Sequence, residues 1–183
     1  ADCNKAIQID PENYDAYLYR AIAKYELGDS ENAIADCNKA IQINPENYDA
    51  YVYCARSKNN LENYKGAIED YTKAIQINLK SQYAFCQRAR SKDLSGDYKG
   101  AIEDYTKAIE IDPNNAFSYR LRADAKYKLK DYQGAIDDYS KSIEINPKHL
   151  VVYENRASAK RKLGDNEGAD EDDKKADKLK NIL

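Results

Sequence analysis

The sequence predicts an all-α fold made of helix pairs repeated in tandem. Three observations predict it. First, one signature recurs: Ile7-Gln8-Ile9-Asp10-Pro11, Ile41-Gln42-Ile43-Asn44-Pro45, Ile75-Gln76-Ile77-Asn78-Leu79, Ile109-Glu110-Ile111-Asp112-Pro113 and Ile143-Glu144-Ile145-Asn146-Pro147. Its step is constant at about 34 residues, the period of a helix–turn–helix repeat. Second, in the most complete copy, 96–113, Ala101, Ile102, Tyr105, Ala108 and Ile109 make one apolar stripe at helical spacing. Third, that stripe is punctuated. Asp97 can accept hydrogen bonds from the first-turn amides, and Pro113 cannot continue the helix.

In chain order, residues 1–11 read as the second helix of a repeat whose first helix is absent. Five repeats follow, 14–47, 48–81, 82–115, 116–149 and 150–183, and together they are expected to form one domain over 1–183. Asn13, Asn47, Ser81 and Asn115 precede the first helices and suit an N-cap; His149 stands at the fifth place in a loop or cap role. Asp29, Asn63, Asp97, Asp131 and Asp165 cap the second helices. Gly28, Gly96 and Gly164 before them suit a left-handed C-cap, so Glu62 and Lys130 at that place predict two less comfortable turns.

Small residues hold fixed columns: Ala21, Ala55, Ala89, Ala123 and Ala157 in the first helices, Ala33, Ala67, Ala101, Ala135 and Ala169 in the second. Four residues before each first-helix alanine stands an aromatic: Tyr17, Tyr51, Phe85, Tyr119 and Tyr153. Large against small at regular spacing lets helices interlock closely.

With its aromatic, its two alanines, the Gly96-Asp97-Tyr98 turn and the closing proline, the chain resembles the tetratricopeptide repeat (TPR) family over its whole length. The resemblance implies antiparallel helix pairs stacked into a right-handed superhelical solenoid, with a concave groove lined mainly by first helices. The departures are small: Leu79 replaces a proline, and arginine or cysteine stands where many members have leucine.

Composition narrows the function. The 183 residues, enough to bury about 70% of the unfolded surface, carry a net charge of −3 with both signs interspersed. That argues against nucleic acid, which asks for a basic face. No apolar run approaches the ~18 residues of a membrane span. No signal-peptide pattern is present; Ala1 has no preceding Met and falls inside a repeat, so a further segment is expected upstream. Cys3 and Cys37 share a column with Tyr71, Tyr105 and Tyr139, and with Cys54 and Cys86 they read as packing residues of a reducing, cytoplasmic protein. The cysteines lack metal-ligand spacing, there is no Gly-rich phosphate loop and His149 is the only histidine, so no metal, cofactor or catalysis is expected.

Charge columns are the next signal. Arg20, Arg88, Arg122 and Arg156 share a place, with Cys54 as the exception; Asp2, Asp36, Asp70, Asp104, Asp138 and Asp172 fill another, and Lys24, Lys58, Lys92, Lys126 and Lys160 a third. A charge recurring in every repeat predicts a ladder of ion pairs between helices. Arg88→Ala is therefore expected to lower the melting temperature more than an ordinary surface change. The last second helix carries Asp170, Asp173 and Asp177 where apolar or aromatic residues stood, as a polar capping helix does.

Function is expected where repeats differ. By the resemblance, Leu18, Tyr19 and Ile22 give the groove an apolar start, and its middle gathers Arg56, Arg90 and Arg120 beside Tyr53, Tyr83, Gln87 and Phe117. One reading is that this middle binds an extended protein or peptide segment bearing a carboxylate. The other is that the arginines only solvate the groove or pair with Asp93 and Asp124. The two-carboxylate clamp of family members that bind chaperone tails takes Lys, Asn, Asn, Lys and Arg. The three sets of places here begin Leu18-Ile22, Val52-Arg56 and Cys86-Arg90, and none matches. The expected function is a non-catalytic interaction scaffold. The alternative is an oligomerisation or targeting module for an absent N-terminal domain, with self-association through helix 1–11.

Overall fold

The structure, a computed structural model, describes residues 2–181. The last two positions of the expected fifth repeat lie outside them. Among the described residues there are eleven α-helices and no strand: α1 (Asp2–Ile9), α2 (Tyr14–Glu26), α3 (Ser30–Ile43), α4 (Tyr48–Asn60), α5 (Tyr64–Ile77), α6 (Gln82–Leu94), α7 (Tyr98–Ile111), α8 (Ala116–Lys128), α9 (Tyr132–Ile145), α10 (Leu150–Lys162) and α11 (Asn166–Lys180).

The helix starts fall where the caps predict them. The side chains of Asn13, Asp29, Asn47, Asn63, Ser81, Asp97, Asn115, Asp131 and Asp165 each accept a backbone N–H from the first turn of the helix they open. Each such cap stabilises its helix by about 1 kcal/mol. His149 sits at the cap position of α10 without a side-chain cap bond. The helix ends are local too. Asn44, Asn78, Asp112 and Asn146 leave the helical region and accept the amide two residues on, at 3.1–3.3 Å, so the repeated Asx turn ends the helix even where Leu79 replaces proline.

The turns between paired helices need a left-handed residue. Gly28, Gly96 and Gly164 supply it with φ of +82°, +87° and +84°, whereas Glu62 and Lys130 adopt it with φ of +58° and +65°. A side chain in that region costs roughly 1–2 kcal/mol, partly offset by the greater unfolded-state freedom of glycine. Glu62→Gly and Lys130→Gly are each expected to raise stability by about 0.5–1 kcal/mol. Unfolding in urea measures this; a midpoint at or below wild type for both would contradict it.

Two compact units make up the chain, one reaching to Ser95 and one starting at Gly96. In the first, α2 packs on α3 and α4 on α5, with α1 against α2, α3 against α4 and α5 against α6. In the second, α7 to α11 pack in succession, each on its neighbour. The interlock is as expected: all ten alanines of the two small-residue columns are fully buried. Tyr71, Tyr105 and Tyr139 are the largest fully buried side chains, and Cys37 and Cys54 are buried free thiols beside Ala21.

The charge columns form the ladder. Arg20, Arg122 and Arg156 each grip Asp36, Asp138 and Asp172 through Nε and Nη2, with N–O distances of 2.6–2.8 Å. Lys24, Lys126 and Lys160 reach the same carboxylates at 2.7–2.9 Å. The remaining Nη1 reaches the preceding second helix: Asn4, Thr106 and Ser140 accept it at 2.7–3.0 Å, and Thr72 accepts from Arg88 at 3.0 Å. Each guanidinium also lies 5.5–5.8 Å from the ring of the aromatic column. One arginine thus ties three helices together. In the second repeat Cys54 makes only a long contact to Asn38, and Lys58 alone pairs with Asp70 at 2.6 Å.

Burial opposes ionisation of Asp36 and Asp172, but hydrogen bonds from the paired arginine and lysine outweigh it and hold both carboxyls below the ordinary range. Their folded-state values are depressed. The stability they contribute is therefore fully present above the unfolded value of about 4 and is lost as pH falls through the folded values. Melting temperature is expected to be flat from neutrality to about pH 5 and to fall steeply below about pH 4. An acid limb unchanged in Asp36→Asn/Asp172→Asn would show that other groups control it.

Candidate functional site

The first helices of the first unit bring two guanidinium groups to one cavity of about 240 Å³. Arg56 of α4 and Arg90 of α6 line it, with Tyr83 and Gln87 of α6 beside them. Neither arginine is consumed by an acid. Arg56 lies 4.4 Å from the Tyr25 ring centroid and 4.9 Å from that of Tyr53, and the two rings meet edge to face at 5.9 Å. Among the described residues its ion pair is with Glu26, 4.0 Å away and largely exposed, a pair of little energetic weight. Arg90 is exposed and makes no ion pair among the described residues. The asparagines of the cavity are fixed from below: Asn59 donates to Ser91 Oγ at 2.9 Å and Asn60 to Ser30 Oγ at 3.3 Å.

The cavity also has a donor from a second helix. Tyr71 of α5 lines it, is 0% exposed, and its hydroxyl has no hydrogen-bond partner among the described residues. Burial pushes its pKa far up, so the hydroxyl keeps its proton. Reading from sequence missed Tyr71, because it shares a column with cysteines and looks like packing. The signal that finds it is the pairing of that column with the ninth position of the first helix.

The second unit shows the same place filled differently. Tyr139, at the position of Tyr71 two repeats on, donates to Asp124 Oδ1 at 2.6 Å. Asn155 Nδ2 donates to the same oxygen at 3.1 Å, and Arg120 Nη1 to Asp124 Oδ2 at 3.0 Å. Arg120 lies 4.8 Å from the Phe117 ring centroid. Burial, and then the Asp124 charge, push the Tyr139 pKa up.

Of the residues expected in the groove, the structure therefore gathers Arg56, Tyr83, Gln87 and Arg90 at one cavity, with Tyr53 stacked beneath Arg56. Arg120 and Phe117 belong to the second unit, where Arg120 has its own carboxylate. Tyr19 is exposed. Leu18 is corrected from groove wall to core: it is buried against Ala40 and Ala50, with Ile22 packed on the same cluster, because its side of α2 faces α3 and α4.

Tandem helix pairs of this kind define a protein–protein interaction scaffold. Family profiles agree: the tetratricopeptide repeat matches residues 14–47 and 116–149, a second tetratricopeptide repeat profile 49–81, and a TPR repeat profile 94–130. The chain belongs to the tetratricopeptide repeat family.

Solved structures give the fold independently. The crystal structure of MamA protein is similar with a TM-score of 0.88 at 21% identity, covering 93% of this chain and 93% of that one. MamA 41-end from Desulfovibrio magneticus RS-1 gives 0.88 at 15% identity, covering 93% and 96%. YrrB, described as a TPR protein with an unusual peptide-binding site, gives 0.83 at 20% identity, covering 98% and 92%. These likenesses fix the fold as the all-α TPR solenoid. No curated protein sequence matches the chain. No helix among the described residues is long and apolar enough to cross a membrane.

Proposed function

We propose that the chain is a non-catalytic scaffold that binds an extended segment of a partner protein along the first helices of its first unit, and that the segment brings an acidic group to Arg56 and Arg90. One observation carries the reading: two cations line the same cavity, and among the described residues no acid closer than Glu26, at 4.0 Å from Arg56, faces them. Arginine forks suit carboxylates, and Tyr83 and Tyr19 supply exposed aromatic area for the rest of the segment. The likeness to YrrB, with its described peptide-binding site, is consonant with this.

The test compares proteins retained from the source lysate by wild type and by Arg56→Glu/Arg90→Glu, after both are shown to fold. A partner held by wild type and lost by the double variant supports the reading. Equal retention moves the site off this face. A second reading, a dimer through α1, is favoured by Ile9, which is 84% exposed at the end of a helix packed on α2. A monomer mass at high concentration removes it.

A further inference from the structure

Within one chain, the same architectural place is built in two complementary ways. In the fourth repeat, Asp124 of α8 offers a carboxylate that takes the Tyr139 hydroxyl, the Asn155 amide and the Arg120 guanidinium. Two repeats earlier, the residue at the place of Asp124 is Arg56, the residue at the place of Asn155 is Gln87 of the third repeat, and Tyr71 stands for Tyr139. The hydroxyl and amide donors remain, Val52 stands at the place of Arg120, and the acceptor has given way to a guanidinium. Tyr71 keeps a fully buried hydroxyl with no partner among the described residues, and Arg56, Arg90 and Gln87 line the cavity with it. A buried hydroxyl without a partner is costly, and in a native fold it calls for an acceptor.

We propose that this cavity is the seat of one carboxylate from the bound segment, which accepts the Tyr71 hydroxyl and the Gln87 amide and faces the Arg56 and Arg90 guanidiniums, as Asp124 does for its own repeat. The inference rests on the groove reading above and adds the ligand group and its deepest donor. The cavity, about 240 Å³, has room for a carboxylate and the stem that carries it. Asp124 itself reaches its place from the backbone on one methylene. The charge next to Tyr71 comes from Arg56 and Arg90, so an anion is favoured there over a neutral amide. Selectivity follows from the donors: a carboxamide would turn an N–H toward a guanidinium or toward the tyrosine proton. The carboxylate can come from an Asp or Glu side chain or from a chain terminus.

The test is tyrosine-ring NMR on the whole chain, with the Tyr71 signal assigned from Tyr71→Phe. The probes are N-acetyl-aspartate N-methylamide, N-acetyl-alanine with a free terminus, and N-acetyl-asparagine N-methylamide, at equal ionic strength. The expected result is a saturable shift of the Tyr71 signal with one or both acids and none with the asparagine derivative; which acid shifts it identifies the source. Tyr71→Phe should weaken binding of that acid about tenfold, the worth of one hydrogen bond to a charged group. It should leave the free protein at least as stable as wild type, because no bond is lost. Tyr139→Phe should do the reverse, lowering stability without changing the affinity. A shift from the asparagine derivative equal to that from the acids, no saturable shift from any probe, or an affinity unmoved by Tyr71→Phe overturns the seat. If Tyr71→Phe has no effect while Arg56→Glu/Arg90→Glu abolishes partner capture, the groove reading stands and only the seat falls.

Discussion

Arg122→Ala is expected to lower the stability of the chain by about 3 kcal/mol, the lower end of the cost of breaking a buried ion pair from one side. The side chains of Arg122 and Asp138 are only 16% and 7% exposed, so solvent screens their interaction weakly. Removing the guanidinium deletes two bonds to Asp138 and one to Thr106, and it uncovers the face of Tyr119. Lys126 remains 2.8 Å from Asp138 and limits the loss. Lysine is a poor replacement, because a single ammonium cannot bridge two helices as the fork does. Arg122→Lys should therefore recover less than half of the difference. The exposed pair Lys107–Glu110, at 2.8 Å on one helix, is the control, and Lys107→Ala should melt with wild type. If Arg122→Ala also melts with wild type, the ladder is ornament rather than support.

The largest expected effect on binding is that of Arg56→Glu/Arg90→Glu. Each charge-assisted contact to a carboxylate is worth about 1.5–3 kcal/mol. Losing both, and setting two anions in their place, should weaken a partner that uses them by at least about 100-fold. The fold should survive. Arg90 is exposed with no ion pair among the described residues, and Arg56 forfeits its stacking on Tyr25 and Tyr53, about 1 kcal/mol, and its weak pair with Glu26. Lys65→Glu/Lys73→Glu, both exposed on α5 and outside this cavity, makes the same change in net charge and is the control for long-range steering. Competition titration against a captured partner separates the two. Equal weakening by both double variants would reduce the role of Arg56 and Arg90 to nonspecific charge.

Much of the fold was legible because its determinants are local or periodic. A cap bond such as Asp97 to Gly100 spans three residues, and an Asx turn such as Asn78 to Lys80 spans two, so both can be read from adjacent letters. The strained turns were legible at Glu62 and Lys130 because three sister turns have glycine. The ladder was legible because the same three charges recur at one period, and recurrence betrays a contact that every repeat makes.

The candidate site was legible only in part, because it is made where periodicity fails. Sequence placed Arg56, Arg90 and Arg120 in one set of variable positions. It offered a pair with Asp124 as one of two readings, but could not decide that Asp124 would take the Arg120 guanidinium while Arg56 settled between tyrosine rings. It placed Leu18 in the groove, where packing against α3 and α4 put it in the core. It read Tyr71 and Tyr139 as equivalent packing residues, although one hydroxyl has a carboxylate and the other has none. By itself, then, the sequence determined the repeat, the helices, their caps and the pairing that every unit shares, because those follow from short-range geometry repeated at a fixed step. Which charges are already satisfied and which are left for a partner was decided only by the tertiary structure, since that depends on side chains from three helices meeting at one point.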